Sequence, residues 1–407
     1  MNPYAHLFNR YVHNSIRAVH TNLLALDEHL PSEDDLSLAL HSLGFSLPVD
    51  DAWAASRDVL VLLAPKMEQA GFRDGWLPFL ERGIERSRAN GDRGAEGEFH
   101  YQLGLLHELR ARFADAQTCY QTSAALFAGL GERGKEARSI NRQAYTARLQ
   151  QRLPAAIELV NRALSLLPEE ATERAGCYFT WGTIAFDQRQ WAESIGWFTR
   201  SLAEWERQEN PRMVAWSLRN LGPALHRAGR YDEAIACYER ALGIFDEVPD
   251  VVHQALTRMN LGIVYSLTGS SERALALYAQ AEPVFRAAQD DMRLALLSGN
   301  RGYAHRQLSQ WQAAEDAYRQ SIELWKQIGV KASVVNGMDG LGLVQLGKGD
   351  RQAASAIFNT ALACLEEMPD DPRHDYLHQM VCGHLRQAEG GESMPMEKGL
   401  KEKGASD

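Results

Sequence analysis

Asn220-Leu221-Gly222, followed by Ala228-Gly229-Arg230-Tyr231-Asp232-Glu233-Ala234-Ile235-Ala236-Cys237-Tyr238-Glu239-Arg240-Ala241-Leu242, is one copy of a pattern that recurs along the chain. The glycine returns at Gly104, Gly182, Gly222, Gly262, Gly302 and Gly342, with Ala144 in its place between the first two; from Gly182 onward the interval is always 40 residues. Twelve residues after each comes a small residue (Ala116, Ala156, Ser194, Ala234, Ala274, Ala314, Ala354), and four further on a larger one (Tyr120, Val160, Phe198, Tyr238, Tyr278, Tyr318, Phe358). A third set, Ser123, Ala163, Ser201, Ala241, Ala281, Ser321 and Ala361, follows three residues later. Steps of three and four put these positions on one helical face.

The period predicts helical hairpins stacked into an array rather than separate domains. In each hairpin the glycine of the first helix is expected to let the alanine of the second approach closely, with the aromatic filling the space beside that contact. A hairpin of this kind exposes an apolar face that only its neighbour can cover, so stability comes from stacking.

These residues resemble the tetratricopeptide repeat, with its Leu-Gly, Ala and Phe landmarks at a 34-residue period. The 40-residue spacing is similar to the longer variety of kinesin light chains, Leu-Gly-Asn-type adaptors and bacterial signalling arrays. The resemblance implies an all-α, right-handed solenoid of about eight hairpins. Its expected organisation is an N-terminal helical cap over residues 1–56 and an array over 57–368, whose first repeat, 57–96, is degenerate. A capping helix over 369–388 and a disordered tail from 389, rich in Gly, Glu and Lys, complete it.

Composition bounds the chemistry. The 407 residues include 43 Lys and Arg against 53 Asp and Glu, a formal net charge of −10, which argues against broad coating of nucleic acid or anionic lipid. Five cysteines, Cys119, Cys177, Cys237, Cys364 and Cys382, never form a Cys-x-x-Cys pair and read as buried thiols in a reducing compartment. The start resembles no signal peptide, and no apolar stretch approaches the roughly 20 residues of a membrane helix, so the expected location is cytoplasmic.

Candidate catalytic motifs fail on inspection. Gly129-Leu130-Gly131-Glu132-Arg133-Gly134-Lys135-Glu136 departs from a phosphate loop at Glu136, where Ser or Thr is needed, and follows a helix rather than a strand. Asp290-Asp291 and Asp370-Asp371 fall where helix starts favour carboxylates. His374, His378 and Cys382, with His384 nearby, share a helical face and are a weak metal candidate; no metal or other cofactor is otherwise indicated, and no enzyme motif is present.

The resemblance instead directs attention to the inner face of the first helices, two, three and six residues before the glycine and one, four and five after it. Those steps give Arg138, Asn141, Arg142, Tyr145 and Arg148 in one repeat, and Trp216, Arg219, Asn220, His226 and Arg227 in another. Asn260, Asn300, Tyr303 and Arg306 continue the line. A ladder of Asn220, Asn260 and Asn300 can pair with successive peptide groups, and arginines beside it can grip carboxylates. Glu98, Glu108, Asp187 and Asp339 interrupt an otherwise basic strip. The expected function is non-catalytic capture of a protein segment, an acidic peptide by the count of arginines; the alternative is a ligand-responsive sensor acting on a separate effector.

Overall fold

The computed structural model describes residues 3–26, 31–69, 75–248 and 250–390. Among these there are nineteen α-helices, one short 3-10 helix and no strand. The chain divides into two compact units, Met1–Glu204 and Trp205–Asp407.

The first unit opens with α1 (Pro3–Ala25), α2 (Glu33–Ser46) and α3 (Trp53–Gln69), then α4 (Leu77–Ala89). Val12, Ile16, Val19 and Leu23 of α1 are buried; the last three join Leu36, Leu43, Leu60 and Leu63 in one apolar cluster. The period follows in α5 (Arg93–Leu109) and α6 (Phe113–Leu130), α7 (Arg133–Leu149) and α8 (Leu153–Ser165), and α9 (Arg174–Asp187) with the start of α10 (Trp191–Arg207). The second unit holds the pairs α11 (Pro211–Arg227) and α12 (Tyr231–Glu247), α13 (Val251–Leu267) and α14 (Ser271–Ala287), α15 (Asp291–Gln307) and α16 (Trp311–Ile328), and α17 (Lys331–Lys348) and α18 (Arg351–Glu366). It closes on α19 (His374–Ala388), which packs on α17 and α18. The tail expected to be disordered lies outside the described residues from 391 onward.

Punctuation is as periodic as packing. The turn between paired helices uses a left-handed residue seven positions after the repeat glycine: Ala111, Gln151, Arg189, Gly229, Gly269, Ser309 and Gly349. Glycine adopts that conformation without penalty, whereas the other residues pay for a Cβ against the following carbonyl. At the starts of α5, α11, α13 and α15, Asp92, Asn210, Asp250 and Asp290 each accept a bond from the third helical N–H, which satisfies a donor the helix cannot. Asp290 is thus a cap. The Gly129–Glu136 segment is likewise a helix end and a helix start, with Gly131 left-handed at the end of α6.

The close approach at the repeat glycine differs from the expected one. A Cβ on Gly222 would meet the Tyr238 ring at 2.3 Å and its hydroxyl oxygen at 2.7 Å, so the side chain nearest the glycine is the aromatic sixteen residues on, expected only beside the contact, rather than the alanine twelve on. The same pairing joins Gly104 to Tyr120, Gly182 to Phe198, Gly262 to Tyr278, Gly302 to Tyr318 and Gly342 to Phe358. In the one repeat that carries Ala144, the sixteenth residue is Val160, and both are fully buried; the added methyl on one side is matched by a smaller side chain on the other. Ser123, Ser201 and Ser321 contribute a further tie, each donating to a backbone carbonyl 26 residues earlier, at Gly97, Ala175 and Ala295.

Gly222→Ala should therefore lower stability by about 1–3 kcal/mol in urea unfolding, because Tyr238 is fully enclosed and cannot swing aside. Gly243→Ala, at an exposed helical site with nothing near the new methyl, should instead gain up to about 1 kcal/mol. Equal effects at the two sites would refute the ring-on-glycine contact.

Candidate functional site

In the first unit the inner-face residues come from α5, α7 and α9. Arg138 Nη2 lies 2.6 Å from Glu98 Oε2, and its guanidinium sits 4.0 Å from the Tyr101 ring centroid. Arg142 donates to Glu108 Oε1 at 2.5 Å, while Tyr120 Oη and Thr146 Oγ1 both donate to Glu108 Oε2 at 3.1 Å. Arg148 forks onto Asp187 with bonds of 2.5 and 2.7 Å. Tyr145 lies between two of these cations, 5.1 Å from Arg142 and 5.7 Å from Arg148. Asn141 is buried and its Oδ1 has no hydrogen-bond partner.

The expected basic strip is thus charge-neutral here. Arg138, Arg142 and Arg148 each carry a carboxylate from a neighbouring first helix, so their guanidiniums are committed to the protein itself. Glu98 and Asp187 stand 40 and 39 residues from their partners. Opposite charges one period apart were the signal in the sequence, and treating these acids as interruptions missed the pairing. Burial holds the Tyr120 phenol well above its usual pKa, so it remains a donor to Glu108.

In the second unit, α11 supplies Trp216, whose ring is 4.4 Å from that of His253 on α13 and is flanked by Arg212 and Arg219 at 5.7 and 5.6 Å. Asp250 accepts from His253 Nδ1 at 2.7 Å and pairs with Arg212 at 3.3 Å. Burial opposes its charge, but these partners outweigh it and hold the carboxyl at about 2. His226 is buried against Tyr231 rather than open on the inner face, and desolvation, helped by Arg227, lowers its pKa to about 4.

The three asparagines do not behave alike. Asn220 Nδ2 donates to Trp216 O of its own helix at 2.8 Å. Asn260 and Asn300 are half-buried, and among the described residues neither amide has a hydrogen-bond partner. They occupy the same position of α13 and α15, which pack on each other. Tyr303 and Arg306 follow on the same face of α15, with the guanidinium 5.2 Å from the ring centroid. Arg306 has no carboxylate within ion-pair distance among the described residues.

The remaining candidates resolve differently. His374 bonds Asp375 at 3.1 Å and stacks on His378, and Cys382 Sγ is 3.8 Å from the His378 ring nitrogens. No three His, Cys, Asp or Glu side chains come together as a metal site among the described residues. His384 turns away and pairs with buried Asp339 at 2.7 Å, so Asp339 belongs to the contact between α17 and α19. Cys119 and Cys177 are buried; Cys237, Cys364 and Cys382 are only half-buried. No helix among the described residues is long and apolar enough to cross a membrane.

The sequence matches the tetratricopeptide repeat family over residues 175–247, 213–287 and 292–367. Residues 175–287 and 292–367 carry tetratricopeptide repeats. No curated protein sequence matches it. Among solved structures, one of similar fold is a signal transduction ATPase with numerous domains and a tetratricopeptide repeat sensor, from Pyrococcus horikoshii. The identity is 12%, the TM-score 0.66, and the match covers 94% of this chain and 55% of that one. A Rap protein complexed with competence and sporulation factor gives 14% identity and a TM-score of 0.54 over 94% of this chain and 99% of that one. The quorum sensor NprR from B. thuringiensis, in its apo form, gives 15% and 0.53 over 70% and 81%. At these identities the likeness is one of fold.

Two measurements test the electrostatics of the repeats. Glu108→Gln leaves Arg142 without its counter-charge and should cost about 3 kcal/mol, whereas Glu108→Gln with Arg142→Met should recover part of that loss; urea unfolding of the three proteins decides. His226 binds its proton more weakly folded than unfolded, so stability is full above pH 6.5 and declines as pH falls toward about 4. The loss amounts to roughly 3 kcal/mol, and His226→Gln should flatten that part of the stability profile.

Proposed function

We propose that the inner face of the second unit binds an extended protein segment, and that the chain acts as a binding module without catalysis of its own. The observation that carries this is the pair of open amides on Asn260 and Asn300. Each offers one acceptor and two donors, at equivalent sites of adjacent helices, which suits successive peptide groups of a strand-like ligand. Arg306 beside them, stacked on Tyr303 and free of a carboxylate, favours an acidic side chain in the ligand. Trp216 and its flanking arginines would extend the same face along α11. The arginines of the first unit are not assigned to the ligand, because Glu98, Glu108 and Asp187 already hold them. The array is read as residues 57–368, capped by 1–56 and 369–388.

A regulatory reading draws support from the names attached to the similar folds: a tetratricopeptide repeat sensor, a quorum sensor and a Rap protein bound to a competence and sporulation factor. On this reading the segment bound at Asn260 and Asn300 is a signal and the output lies in another chain. A fall in the radius of gyration on ligand addition, measured by X-ray scattering, would distinguish it from a static adaptor.

Selection of a random peptide library on the full chain should enrich Asp and Glu. Binding of the selected peptides should weaken about tenfold or more, equivalent to about 1.4 kcal/mol, in Asn260→Ala/Asn300→Ala, while the melting temperature stays within about 2 °C. Retained affinity in that double variant would remove the groove assignment.

A further inference from the structure

A second surface lies at the other end of the chain and does not depend on the groove. Although the whole sequence carries −10, no Asp or Glu occurs before Asp27. Helix α1 has Arg10 and Arg17 as its fixed charges, and His6, His13 and His20 alternate with them at steps of four and three. That spacing draws one straight line along a helix. The line lies off the buried seam of Val12, Ile16, Val19 and Leu23: His6, Arg10 and Arg17 are exposed, His13 and His20 half-buried. Among the described residues none of the five has an ion pair.

Exposed apolar side chains gather beside it. On the helix surface Leu7 neighbours Arg10 at a step of three, and Tyr11 neighbours Leu7 at a step of four. Leu7 and Tyr11 of α1 are 54% and 72% exposed. Phe8, two residues from Arg10, is turned away from the line and meets Phe45 of α2 edge-on at 6.3 Å.

We propose that this face of α1 docks an acidic amphipathic helix of a partner protein. A helix whose acids recur at three and four residues would face the Arg and His line, and its apolar border would cover Leu7 and Tyr11. The charge pattern selects this occupant. A membrane fits less well, since the long apolar seam of α1 is already buried in the helical cap, leaving little more than one turn to insert, and the net charge of −10 opposes an anionic bilayer.

Fluorescence anisotropy of the full chain with a labelled synthetic helix, glutamates at three-four spacing beside a leucine stripe, tests the assignment. Binding is expected, falling as salt is raised and about tenfold weaker with Arg10→Glu/Arg17→Glu. Leu7→Asn/Tyr11→Asn should weaken it independently, and Asn260→Ala/Asn300→Ala should leave it unchanged, which separates this site from the groove. All the α1 side chains altered are exposed, and unchanged circular dichroism confirms intact folding. The proposal is overturned if the charge reversal has no effect or if a lysine-for-glutamate helix binds as well. It is equally overturned if the face instead holds phosphatidylserine vesicles, or a second copy of the chain by sedimentation, in a manner that Arg10→Glu/Arg17→Glu abolishes.

Discussion

Everything periodic in this protein follows from an aromatic ring laid on a glycine. A phenyl or phenol side chain needs its whole face covered to gain the full benefit of burial, and the backbone of the first helix covers it only where no Cβ stands. Tyr238 over Gly222 and Phe358 over Gly342 show the contact at its tightest. The Ala144 and Val160 pair shows that the requirement is on combined volume, since the space closes equally well when one member grows and the other shrinks. Because the ring can be seated at only one height along the first helix, the contact fixes the register of the hairpin. The left-handed turn seven residues after the glycine then has to fall where it does.

That register also determines what reaches the inner face. Where the ring is a tyrosine, its hydroxyl extends past the glycine toward groove residues: Tyr120 donates to Glu108, the acid that holds Arg142, and Tyr318 lies beside Arg306. Phe198 and Phe358 cannot make that link. The core and the inner face are therefore coupled through single side chains, and a change in core residue from Tyr to Phe removes that link without altering the packing. The difference between the two units has the same origin. In the first, Glu108 gathers Arg142, Tyr120 and Thr146 into one closed network; in the second, the position equivalent to Glu108 holds His226, Ser266 and Arg306, and no acid closes the set.

The hairpins, their pairing and their turns were legible because they depend on local spacing, which a 40-residue period repeats many times. The glycine's partner was misassigned to Ala234 because sequence gives only which residues share a face, whereas the height of a ring above a neighbouring helix depends on side-chain length. The arginine strip was misjudged for a related reason. Arg138, Arg142 and Arg148 were counted as free charges, but each lies one helix from an acid, and a half-buried cation that can reach a carboxylate does so. His226 looked like an inner-face ligand by position and is a buried ring by environment. Conversely, nothing in the composition of Asn220 distinguishes it from Asn260 and Asn300; only the side-chain rotamer does.

That rotamer is informative about the site. An asparagine within a helix commonly bonds back to the carbonyl four residues earlier, and Asn220 does so with Trp216. The equivalent carbonyls, of Leu256 and Leu296, stand before Asn260 and Asn300, yet neither amide uses them. A half-buried amide gives up part of its hydration, so it rests in this state at a cost that water or a ligand must offset. Two such amides on adjacent helices, beside an arginine that has found a tyrosine but no acid, form a surface whose polar groups are oriented but not consumed. In the first unit the protein has consumed them itself, and this contrast is the ground for proposing the inner face of the second unit as the binding face.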